Sequence, residues 1–226
     1  MRKVKKFKLT SEFIVDISGV KLFRIKALIE FGNVKAGDLG GYIEKEENLS
    51  HMGNAWVSGN AQVSGDARVS GNARVSGDAQ VFGDARVSGN AQVSGNAQVS
   101  GDARVSGNAQ VFGDARVSGN ARVFGDAQVS GNARVSGNAQ VFGDARVSGD
   151  ARVSGDKDYA YAHGFGSCNR TTTFFRLKDG DVGVRCGCFY GTLAQFRDKV
   201  CETHGETKKA QEYLMLADLM EIRFKN

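Results

Sequence analysis

From Ala55 to Asp156 the chain repeats one six-residue unit, V-[SF]-G-[ND]-A-[QR], without an insertion. Valine recurs at every sixth position from Val57 to Val153, each preceded two positions earlier by alanine. A period this strict identifies a solenoid, whose coils stack on near-identical neighbours and bury a column that no single unit could bury alone. In an extended strand, residues two apart point to the same side, so Ala61 and Val63 share the interior while Gln62 points outward. Ser58-Gly59-Asn60 reads as a corner, because glycine accepts positive φ and a short Asn or Asp side chain can bond nearby backbone. Three units close a triangular coil of 18 residues, with coils stacked about 4.8 Å apart; the hexads starting at Val57 make a prism about 27 Å tall.

Thirty glycines and no proline fit regular turns rather than a disordered tract, because the glycines keep the period. The formal charge of +5 comes from the ends: the repeat holds nine arginines against nine aspartates. The start, Arg2-Lys3-Val4-Lys5-Lys6, could meet an anionic partner, although a solvated terminal strand is the simpler reading. No stretch resembles a membrane span or a signal-peptide core, so a cytoplasmic protein is expected. Cys168, Cys186, Cys188 and Cys201 all follow the repeat and fit reduced thiols better than a disulfide scaffold.

Reading the repeat at period 18 predicts three stripes. One carries Arg68, Arg86, Arg104 and Arg122, then Gln140. A second carries Gln62, Gln80 and Gln98, then Arg116, Arg134 and Arg152. The third runs Trp56, Arg74, Gln92, Gln110, Gln128 and Arg146. Stacked arginines repel, so they are either offset by Asp66, Asp84 and Asp102 in a solvated lattice or matched by an anionic partner. Phe82, Phe112, Phe124 and Phe142 replace the corner serine and face outward, with Phe124 and Phe142 on one edge; they are candidates for a contact surface.

The chain divides into an N-terminal β-rich cap with an irregular first coil (1–54), the β-helix (55–167) and a C-terminal α+β module with two helices (168–226). In the cap, Phe13–Val15 and Leu22–Ala27 read as strands joined at Ser18-Gly19. Leu39 stands 18 residues before Val57 and is expected in the valine column, with Glu44-Lys45-Glu46-Glu47 looping out. At the other end Tyr159 and Phe165 continue the valine phase and are expected to close the last coil. Thr171–Leu177 and Val182–Cys188 read as paired strands. Thr192 caps a helix from Leu193 to about Thr203, and a second helix runs from about Thr207 to Ile222.

The hexad resembles the units of the hexapeptide-repeat, left-handed parallel β-helix family, aliphatic-small-x-[ND]-[STA]-x. That likeness implies an all-β solenoid of left-handed triangular coils, and it implies a homo-oligomer, with a parallel trimer favoured. Three further stretches, Ala36–Ile43, Gly53–Val57 and Cys186–Leu193, resemble phage and prophage hexapeptide-repeat, polymer-forming-like proteins, implying an accessory role in a bacterial host. Relatives that are acyltransferases use a histidine as general base beside a coenzyme A groove. Here the histidines are His51, His163 and His204, all outside the repeat; His163 is an isolated candidate base and reads more simply as a cap or surface residue.

Cys186, Cys188, Cys201 and His204 offer three thiolates and an imidazole, which suits zinc, but C-x-C is shorter than the usual ligand spacing and buried free cysteines are the expected state. No cofactor motif is present. The sequence therefore predicts a non-catalytic scaffold or protein-binding module, with a host protein as partner. Sequestration of an anionic nucleotide or nucleic acid by the arginines is the alternative, and an acyltransferase-like enzyme is the third option.

Overall fold

The computed structural model describes residues 5–166 and 170–225, so Arg2, Lys3, Val4 and Cys168 lie outside the described residues. β1 (Phe7–Val15) and β2 (Lys21–Ala27) form an antiparallel hairpin, and β3 (Leu39–Ile43) joins β2. Seventeen two-residue strands follow, from β4 (Trp56–Val57) to β20 (Arg152–Val153). β21 (Tyr159–Phe165), β22 (Arg170–Arg176), β23 (Val182–Cys186) and β24 (Phe189–Thr192) make a four-stranded antiparallel sheet, which carries α1 (Leu193–His204) and α2 (Lys208–Phe224).

The repeat is an all-β parallel solenoid with an 18-residue coil. Arg68 pairs with Arg86, Gln92 with Gln110 and Arg116 with Arg134, each on a separate face. Valine and alanine side chains fill the interior: Ala103 and Val105 are fully buried, while Arg104 between them is exposed. Amides of one coil donate to carbonyls of the next, as Arg104 N to Ala121 O (2.9 Å), Ser106 N to Val123 O (2.9 Å) and Asn108 N to Gly125 O (2.8 Å). At the corner Gly107 has φ +69°, and a Cβ there would meet the Gly125 amide nitrogen at 2.9 Å. Both its backbone angle and the closeness of the next coil demand glycine. The corner asparagines bond less to their own backbone than to each other. Asn72 donates to Asn90, Asn90 to Asn108 and Asn108 to Asp126, at 3.0, 3.0 and 2.8 Å.

The first coil differs from the sequence expectation. Ile43, not Leu39, occupies the column: it pairs with Val63 and is fully buried, whereas Leu39 is 52% exposed. Leu49, six residues after Ile43, bridges Val69, so Ile43–Asn48 stays in phase as a hexad with a short helical turn at Glu46–Asn48. The chain gains two residues later, around His51-Met52, before Gly53-Asn54-Ala55 resumes the pattern.

Because amides donate toward the following coil, the irregular first coil leaves some carbonyls of the second coil without a backbone donor and its own carbonyls without a preceding coil, and buried side chains serve both. The Asn48 side-chain amide donates to Gly65 O (3.0 Å) and Ala67 O (2.9 Å). At the next corner the Lys6 ammonium donates to Ala55 O (2.7 Å) and Gly53 O (3.4 Å), under the Phe31 ring. Lys6 is thus a buried terminator of the ladder rather than part of a solvated strand. Burial pushes its pKa down to about 8. Between pH 8 and the ordinary lysine value near 10.5 the unfolded chain holds a proton that the folded chain has released, so the Lys6 contribution to stability rises with pH. Denaturant titrations of wild type and Lys6→Met at pH 7.5, 8.5 and 9.5 should show the wild type gaining on the variant at each step. A constant difference would refute this linkage.

At the C-terminal end Tyr159 and Phe175 lie over the last coil and belong to the solenoid core; Phe165, expected there, is 40% exposed at the far end of β21. The strand read as Val182–Cys188 ends at Cys186, where Gly187 turns the chain back, and the sequence reading has no counterpart of β24, which follows the turn. Both helices begin as expected: Thr192 and Thr207 accept from Gln195 N and Ala210 N.

Candidate binding surfaces and the junction groove

The register sets the sides of the C-terminal sheet. Phe175 pairs with Tyr159 and is buried in the solenoid core, while neighbouring Phe174 pairs with Val184 and is buried under the helices. By alternation, Tyr161, His163, Thr171, Thr173, Arg185 and Tyr190 share the solenoid side. Thr173 Oγ1 accepts from Arg146 N at 3.0 Å, tying the sheet to the third face of the prism.

Beyond that tie a polar groove of about 760 Å³ opens between the sheet and the final coils. Gln128, Arg146 and the corner residues Asp126 and Asp144 form its solenoid wall; His163, Thr171 and Arg185 form its sheet wall. Arg170 lies at the edge, its guanidinium resting on Gly187, where a Cβ would come within 2.7 Å of Nη1. His163 Nδ1 and Thr171 Oγ1 stand 2.9 Å apart as a hydrogen-bonded pair. Sequence reasoning placed Arg146 on a stripe and weighed His163 alone. It did not connect either with Arg170 and Arg185, because the sheet that unites them is built by non-local pairing.

The four arginines Arg68, Arg86, Arg104 and Arg122 stack in successive pairs and are all exposed. Among the described residues none of them forms an ion pair, and Asp66 pairs instead with Lys45 at 2.7 Å. That bond holds the Asp66 carboxyl below its ordinary range, with Arg68 adding a smaller effect. On the second face Arg116 and Arg134 are exposed, while Arg152 folds back, its Nη1 donating to Ala151 O (2.9 Å) and Asn132 O (3.0 Å). Phe82 and Phe112 stand exposed on separate edges. Phe124 stacks on Phe142 (5.3 Å), and Phe142 meets Tyr161 edge-on (5.4 Å), so this edge runs into the C-terminal sheet.

The described cysteines are not the buried set expected. Cys188 and Cys201 are exposed, and Cys186 is half-buried, contacting Thr172 Oγ1 and the Tyr213 hydroxyl. Among the described residues no group of three or more His, Cys, Asp or Glu side chains is arranged to hold a metal ion; Cys186, Cys188 and His204 line one recess, but with Cys201 they do not form a ligand set. His204 instead stacks on Tyr213 at 5.8 Å.

A glycine-cornered, valine-filled prism of 18-residue parallel coils is a hexapeptide-repeat β-solenoid. In agreement, the repeat tract matches the family described as the YdcK beta solenoid repeat, over residues 61–77, 67–81, 79–95, 97–113, 115–127, 127–143 and 139–155. Those matches lie within the prism, and both end modules fall outside them. No curated protein matches the chain. Among the described residues no helix is long and apolar enough to cross a membrane.

Proposed function

We propose that this chain is a non-catalytic, rigid scaffold that binds protein, working as an accessory factor of phage or prophage type in the bacterial cytoplasm. The observation that carries the reading is the uniform outer surface: every outward mid-strand position from Gln62 to Arg152 is Gln or Arg, held flat on an unbroken ladder. Such a lattice stays soluble and stiff, and leaves recognition to the end modules and to the corner phenylalanines. Native mass spectrometry of tagged protein purified from a bacterial host tests it. A stoichiometric foreign polypeptide, on a monomer or on the trimer that the repeat's likeness suggests, is the expected result. A purified protein that turns over an acyl donor would overturn it.

A second reading, sequestration of an anionic ligand along the prism, is favoured by the unpaired stack of Arg68, Arg86, Arg104 and Arg122. Replacing all four with glutamine should leave the melting temperature within about 2 °C of wild type, because exposed substitutions cost little. If single-stranded nucleic acid binds there, the slope of log affinity against log salt should flatten by up to about 3, at roughly 0.7 per lost phosphate contact. An unchanged slope, or no binding by wild type at low salt, refutes this second reading.

A further inference from the structure

We infer that the junction groove is a binding site for a small organic phosphate with a planar ring. Three guanidiniums reach it from three strands: Arg146 on β19 of the prism, Arg170 on β22 and Arg185 on β23. Among the described residues none of the three has an ion pair or a side-chain hydrogen bond, although Asp126 and Asp144 line the same groove. The cations are therefore held apart from the carboxylates by the rigid walls that carry them, leaving planar donor forks free for an oxyanion. Three guanidinium forks lining one groove suit a phosphate, which offers more acceptor sites and charge than a single carboxylate.

Size and charge pattern narrow the ligand. At about 760 Å³ the groove falls in the range of small-molecule sites. A polymer backbone laid through it would bring phosphates against Asp126 and Asp144, whereas one compact phosphate can sit toward the arginines and offer hydroxyl or amino donors to those carboxylates. A smaller recess of about 240 Å³ lies round the Gly187 turn on the helix side of the same sheet, sharing Arg170, Gly187 and Cys188 at the sheet edge and lined by Phe189, Phe196 and Tyr213. Its aromatic walls suit a ring, and a ligand whose phosphate sits in the groove would reach it past Arg170 and Cys188, which both sites share.

This inference is independent of the stripe reading and fails separately from it. The full chain would be titrated calorimetrically with AMP, adenosine and inorganic pyrophosphate at low salt. AMP should bind, pyrophosphate should bind more weakly, and adenosine should not be detected. Arg146→Gln and Arg170→Gln should each weaken AMP at least tenfold, while the four-glutamine variant of the prism stripe should bind like wild type. Asp126→Asn with Asp144→Asn should tighten pyrophosphate several-fold by removing repulsion. Because Arg185 is half-buried, Arg185→Gln would be read only where its melting temperature is unchanged. Alkylation offers a second readout: AMP should slow modification of exposed Cys188 and leave exposed Cys201 unaffected. Failure of wild type to bind AMP at millimolar concentration would overturn the inference, as would equal losses in junction and stripe variants.

Discussion

Val105→Asp should lower stability by several kcal/mol, the cost of placing a charge where no water and no partner can reach it. Val105 is fully buried in the middle of the prism, with Val87 and Val123 directly below and above. Relaxation is limited because each neighbour is fixed by ladder bonds on both sides. Gln110→Lys is the matched control. Gln110 is an outward position between Gln92 and Gln128, and a lysine there can extend into solvent at a cost within about 0.5 kcal/mol. Thermal melts of both variants decide the matter. Comparable losses would refute the inside-outside assignment on which the fold description rests.

Phe175→Ala should cost about 3–5 kcal/mol, the usual range for truncating a buried phenylalanine that neighbours cannot replace. Phe175 is fully buried against the last coil and stacks toward Tyr190, so it joins the solenoid to the C-terminal sheet. Its loss should do more than open a cavity. The last coil ends in apolar side chains and strand edges that Tyr159, Phe175 and the Ala151–Leu177 bridge keep covered. Loosening that cover should promote end-to-end association, measured as a rise in sedimentation coefficient with concentration beyond that of wild type. Phe165→Ala, at an exposed position, should change neither stability nor sedimentation. If the two variants behave alike, the cap has been misassigned.

The prism was legible because its evidence is local and redundant. Every hexad restates which side chains face in, and the 18-residue register of Arg68 on Arg86 follows from counting. The first coil was harder because it forms the same shape by other chemistry. Ile43-Glu44-Lys45-Glu46-Glu47-Asn48 has no glycine corner, and at that corner a buried Asn48 side-chain amide supplies the ladder bonds that backbone supplies elsewhere. A phase search anchored on valine therefore stepped back 18 residues to Leu39 and missed the two-residue gain at His51-Met52. Lys6 carried no sequence signal at all, since its partners, Ala55 O and Gly53 O, are backbone atoms nearly fifty positions away. The helices announced themselves through Thr192 and Thr207, whereas the polar groove did not. Arg146, Arg170 and Arg185 line one groove only because β22 docks on the end of the prism.

The strict triangular coil also makes hexad number a mechanical setting. Removing three hexads would lower the C-terminal sheet by one coil, about 4.8 Å, and return it to the same face. Removing one would lower it by only about a third of that and turn it by roughly 120°, moving its docking strand β22 from the Arg146 face to a neighbouring one. The same two end modules can thus be dialled to a chosen separation by whole coils and to one of three headings by the remainder. Near-identical units such as Val87–Gln92 and Val105–Gln110 make the corresponding gains and losses easy for recombination between repeats to produce.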